Sequence, residues 1–164
     1  MAKPTKYAPH LCTLFMIIAG IGILLGFLFR APFVTILLLL PAAIYEAYRT
    51  EGKSTRTASY LLVAFLVGTM VMVVFNININ IANFMGVESQ YIAGMWVPLG
   101  DLRIVGPGLV AALAVILFTR TRGIYTRWLA VVIFVTAFAI VYLIDTDAFE
   151  MLFEEGIRLI MQRI

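Results

Sequence analysis

Leu11-Cys12-Thr13-Leu14-Phe15-Met16-Ile17-Ile18-Ala19-Gly20-Ile21-Gly22-Ile23-Leu24-Leu25-Gly26-Phe27-Leu28-Phe29 runs without a single charge. Its nineteen residues rise roughly 28 Å as a helix, enough to cross the hydrocarbon core of a bilayer. Lys3 and Lys6 precede it as in a signal peptide, but Phe29-Arg30-Ala31-Pro32 offers no small-x-small cleavage site. The run is therefore expected to be a retained first membrane span.

The rest of the chain has the same character. Of 164 residues, 63% are apolar and 13% charged, and the mean hydropathy is +1.02. A soluble domain carries about 25% charged residues, so this chain has too little charge to cover a water-facing surface. An all-α polytopic membrane protein is the expected fold class.

Polar punctuation divides the chain into five spans, at about residues 11–29, 33–48, 60–76, 104–119 and 128–144. Arg30-Ala31-Pro32 makes a minimal turn between the first two, with Pro32 placed to open the second. Pro41 should kink that second helix. Arg49 to Ser59 is polar, includes Gly52 and is expected to be a loop. The 104–119 segment is short; if it does not cross, four spans remain and the C-terminus changes sides. Residues 1–146 then form one helical bundle.

Lys and Arg give the orientation. One side holds Lys3, Lys6, Arg49, Lys53, Arg56, Arg120, Arg122 and Arg127, the other Arg30, Arg103, Arg158 and Arg163. Eight against four puts the N-terminus in the cytoplasm and the C-terminus outside, in an inner (plasma) membrane. Tyr45, Tyr48, Tyr60, Tyr125 and Trp128 fall at the inner interface, Tyr91, Trp96 and Tyr142 at the outer one.

Three segments outside the spans stand apart. In residues 147–164, Phe149, Leu152, Phe153, Ile157, Ile160, Met161 and Ile164 recur at three- and four-residue spacing, opposite Glu150, Glu154, Glu155, Arg158, Gln162 and Arg163. This predicts an amphipathic helix, N-capped at Asp147, that lies in the interface or docks on a partner. Phe75-Asn76-Ile77-Asn78-Ile79-Asn80-Ile81-Ala82-Asn83 continues the third span; as a helix it aligns Asn76, Asn80 and Asn83. Met95 to Gly108, with two prolines and three glycines, is expected to be irregular, with Pro107 opening the fourth span and Asp101 and Arg103 as polar contacts.

No span has an ionisable residue near its centre, whereas proton pumps and voltage sensors require one. Glu46 comes nearest, and its spacing to Arg49 suggests a local pair at the interface. His10 has no companion at ligand spacing, and one Cys and one His make no metal cluster. No nucleophile–base set or phosphate loop appears. Neither catalysis, a cofactor nor a metal is expected, and the scattered basic residues make no nucleic-acid stripe.

Helix association has better support. Gly22 and Gly26, joined by Gly20, form a small-residue face suited to close packing, inside the bundle or against another chain. Ala111, Ala112 and Ala114 offer a second such face. The expected function is a non-catalytic accessory or scaffolding subunit of a larger membrane complex, such as a transport complex, with lipid and other membrane subunits or further copies of the chain as partners. The alternative is a small oligomeric transporter or channel whose polar site uses Asn76, Asn80, Asn83, Asp101 and Arg103, with hydroxyls from Thr35, Thr69 and Thr136. The short outer loop and Gly106-Pro107-Gly108 are faintly similar, over about one loop and one helix, to the small membrane subunit of tripartite carboxylate transporters, one form such an accessory subunit could take.

Overall fold

A computed structural model of the chain describes residues 7–50, 52–77, 89–92, 95–98, 102–121 and 123–161. Among the described residues, five helices are long and apolar enough to cross a membrane: α1 (Ala8–Phe29), α2 (Pro32–Arg49), α3 (Lys53–Val74), α4 (Leu102–Arg120) and α5 (Ile124–Ile144). A further helix, α6, covers Thr146–Met161. Two short strands, β1 (Ser89–Ile92) and β2 (Met95–Pro98), pair antiparallel with Tyr91 opposite Trp96.

The turn between α1 and α2 is as tight as expected. Arg30 adopts the left-handed conformation at φ 49°, and the N–H groups of Arg30 and Ala31 return to the carbonyls of Phe27 and Gly26. This closes the last turn of α1 by the Schellman arrangement, and Pro32 starts α2 at once.

Elsewhere the helix boundaries differ from expectation. The polar segment before Tyr60 is helical from Lys53, because Gly52 at φ 116° turns the chain and its carbonyl accepts from Arg56 N–H at 2.8 Å. Hydropathy marks where a span enters lipid, not where its hydrogen bonding begins. At the other end α3 stops at Val74: Asn76 takes φ 52° and Ile77 N–H bonds back to Met72 O at 2.9 Å. The helical stripe expected from Asn76 onward is therefore not continued from α3. Asn80, Asn83 and Asp101 lie outside the described residues.

The stretch around Pro98 and Pro107 is likewise more regular than expected. β2 runs to Pro98, and α4 begins at Leu102 with Pro107 inside it. Near a helix start the missing proline N–H forfeits one bond, to the Arg103 carbonyl, and the helix continues. Asp145, not Asp147, caps α6: its Oδ1 accepts from Asp147 N–H at 3.0 Å.

Helix neighbours are α1–α2, α2–α3, α3–α4, α4–α5 and α5–α1, with α2 and α5 also in contact across the middle. The five form a closed ring around one core, built from Leu39 and Ala43 of α2, Leu62 and Leu66 of α3, Val110 and Leu117 of α4, and Ile133 and Ile140 of α5. Arg120 reaches Ser54 at 3.3 Å and Arg103 reaches Asn76 at 2.9 Å, so α3 and α4 are antiparallel. The starts of α1, α3 and α5 and the ends of α2 and α4 thus share one end of the ring, the N-terminal end. The ring's outside is apolar: Leu24 and Leu28 of α1 are 71% and 74% exposed.

Candidate functional site

The core-facing row of α2 reads Ile36, Leu39, Ala43, Glu46 and Thr50, at three- and four-residue intervals. All five are buried, and Glu46 has no exposed surface. A carboxylate therefore stands where the helix period calls for an apolar side chain. Arg49, one turn further, is 5% exposed and also turned inward.

The two do not make the local pair expected from their spacing. Glu46 Oε1 accepts from Thr50 Oγ1 at 3.3 Å, and the same hydroxyl lies 2.8 Å from the Glu46 carbonyl oxygen. Arg49 instead sends Nη1 to Cys12 Sγ on α1, 3.6 Å away, with its guanidinium 5.7 Å from the Tyr45 ring centre. Tyr45 in turn packs on Phe15 of α1 at 5.1 Å. Glu46 Oε2 and Arg49 Nε have no hydrogen-bond partner among the described residues. Helical periodicity from Leu39 and Ala43 places Glu46 inward; its nearness to the helix end and to Arg49 is the competing signal for an interfacial position.

Cys12 also lines a shallow cleft of about 260 Å³ between α1 and α5, with Met16, Tyr125, Trp128, Leu129 and Val132. Its walls are almost wholly apolar, and it is smaller than the roughly 300–1,000 Å³ of drug-sized ligand sites.

At the opposite end, Arg103 is brought onto the α3 terminus. Its Nε donates to Ile77 O at 3.0 Å and its Nη2 to Asn76 Oδ1 at 2.9 Å. Of the expected polar set, Asn76 and Arg103 meet, and the contact fastens the first turn of α4 to the end of α3.

The glycine face of α1 is spent inside the bundle. A methyl group at Gly26 would collide with Thr35 Oγ1, and one at Gly22 would lie 2.8 Å from Leu38 Cβ, whereas Gly20 has open space. Ala111 and Ala114 are buried and Ala112 is exposed. The candidate hydroxyls within the spans are also engaged: Thr35 donates to Gly22 O, Thr69 to Phe65 O and Thr136 to Val132 O.

Of the seven apolar residues expected to dock a partner, four (Phe149, Phe153, Ile157 and Met161) are described at side-chain level; Phe149 packs against Phe138 at 6.2 Å and Tyr142 at 5.4 Å. Phe153, Ile157 and Met161 are exposed. No group of three metal-ligating side chains occurs among the described residues. No family model, curated protein or solved structure matches the chain.

Proposed function

We propose that this chain is a non-catalytic accessory or scaffolding subunit of a larger membrane complex. The observation that carries the proposal is the uneven covering of α6. Phe149 anchors its first turn on α5, while Phe153, Ile157 and Met161 stand 54%, 40% and 67% exposed. Exposed apolar surface beside the polar Glu150 and Glu154 is the pattern of an interaction face. The sequence beyond Phe149 supports an amphipathic helix, and its polar face mixes Glu with Arg instead of presenting the Lys-rich surface that anionic lipid attracts. A partner subunit suits such a face better than lipid headgroups.

Two further observations support a packing role. The hydroxyls of Thr35, Thr69 and Thr136 bond to backbone carbonyls instead of lining a path, and the clefts are small and apolar. The distribution of Lys and Arg supports a plasma-membrane orientation with the N-terminus cytoplasmic and α6 outside.

Purification in a mild detergent followed by mass determination of the intact assembly tests this. The expected result is a stoichiometric, unrelated membrane protein that is lost when Phe153, Ile157 and Met161 are changed to Ser. A homo-oligomer that makes liposomes permeable overturns the proposal.

A further inference from the structure

The buried polar side chains are unevenly placed. Thr35, Thr69 and Thr136 lie away from the N-terminal end. Glu46, Arg49, Thr50, Ser59, Thr121 and Thr126 all lie within about two helical turns of it. The three buried side-chain atoms without a hydrogen-bond partner among the described residues, Glu46 Oε2, Arg49 Nε and Thr121 Oγ1, belong to this layer.

Glu46 and Arg49 present an acceptor and a donor on consecutive turns of one helix. Their direct bonds go elsewhere, to Thr50 and Cys12. A dry interior leaves both atoms uncompensated. Water, which donates and accepts, is able to bond to either atom.

Glu46 sits one turn, roughly 5 Å, from the end of α2; beyond it Arg49 and Thr50 are 5% and 4% exposed, and Gly52 is exposed. Toward the middle the way is shut by Leu39, Ala43, Leu62, Leu129 and Ile133, each at most 1% exposed.

We infer that Glu46 and Arg49 line an internal hydration site, open only at the N-terminal end, that admits water and small polar solutes about one turn into the bundle and stops at the Leu39–Ala43 layer. The site places a carboxylate of an otherwise apolar bundle in contact with one aqueous phase, and it stands whether or not the chain is an accessory subunit.

Single cysteines in a Cys12→Ala background, in sealed vesicles, test it. Glu46→Cys should react with a trimethylammonium-ethyl thiosulfonate about tenfold or more faster than Ala43→Cys, since a fixed charge enters apolar packing only at high cost. It should do so only from the side that labels Thr55→Cys. Equal rates at positions 46 and 43, or reaction from the opposite side, overturn the site. Native Cys12, with Glu46 intact, is the second probe. If Glu46→Leu slows its reaction with the same reagent several-fold from the side that labels Thr55→Cys, the site is supported; reaction of Cys12 only from the opposite side, with Glu46 intact, overturns it.

Discussion

Thr35 of α2 donates its hydroxyl to the Gly22 carbonyl of α1 across 3.0 Å, in the space that a side chain on Gly26 would occupy. The glycine spacing and the threonine are two halves of one contact: the missing Cβ lets the helices close, and closeness brings the hydroxyl to a carbonyl on the neighbouring helix. Gly26→Ala should lower stability in detergent by about 1–3 kcal/mol, whereas Gly20→Ala should be near neutral. Thr35→Ala on its own should cost about 0.6 kcal/mol. The double variant Gly26→Ala/Thr35→Ala should lose less than the sum, because the second change removes the obstacle that the first one meets. Thermal unfolding of the four proteins gives the cycle; additivity would mean that the two sites do not touch.

Gly106 of α4 makes a similar close approach to Thr69 of α3, whose Oγ1 stands where the Gly106 Cβ would be built, although that hydroxyl bonds to Phe65 O of its own helix. Gly106→Ala is expected to destabilise by about as much as Gly26→Ala, while Gly68→Ala and Gly108→Ala, with nothing within 4 Å, should be tolerated. A melting temperature unchanged in Gly106→Ala would show that α3 and α4 can separate there without loss.

Much of this architecture is legible in the sequence. The five apolar stretches correspond to α1–α5 because run length and lack of charge are enough to mark a span. What the runs do not carry is where helical hydrogen bonding starts and ends. Lys53 to Ser59 is polar and helical, and hydropathy cannot distinguish it from a polar loop. Asn76 suits a helical polar stripe and a left-handed helix terminator equally well, and the choice depends on Arg103 arriving from α4. The Thr35–Gly26 contact requires knowing which helix faces which. Glu46 is legible from the helix period, since it continues the row of Leu39 and Ala43, while the adjacent Arg49 gives the competing signal of an interfacial pair.

The Glu46–Arg49 arrangement should also be visible in stability. Arg49→Met removes the bond to Cys12 Sγ and the cation one turn from the Glu46 carboxylate, so it is expected to cost roughly 1–3 kcal/mol, and the double variant Glu46→Gln/Arg49→Met less than Arg49→Met alone. Unfolding in a denaturing detergent series would measure both. A double variant less stable than Arg49→Met by the full cost of Glu46→Gln would show that the two side chains act independently.

Arg103 should matter through the α3 terminus. Arg103→Ala removes the donors to Asn76 Oδ1 and Ile77 O and should speed proteolysis between residues 77 and 102 several-fold. Asn76→Gly keeps the left-handed conformation that Asn76 holds at φ 52° but loses the side-chain acceptor, so it should be milder than Asn76→Ala, which loses the acceptor and strains the backbone by about 1 kcal/mol. Equal sensitivity in the two Asn76 variants would assign the whole effect to the lost hydrogen bond.

The ring itself makes a sidedness prediction. Thr55 lies in the first turn of α3 and Ser89 in β1, between the end of α3 and the start of α4. If α3 crosses the bilayer, single cysteines at these positions, with Cys12 replaced by Ala, must react with an impermeant maleimide from opposite sides of a sealed vesicle. The eight-to-four distribution of Lys and Arg further predicts that Thr55→Cys is reached from the cytoplasmic side. Opposite sides with the reverse polarity would leave the ring intact and overturn only the orientation. Labelling of both from one side would mean that α3 does not cross, because its 22 residues are the only segment between Thr55 and Ser89 whose helix is long and apolar enough to do so among the described residues.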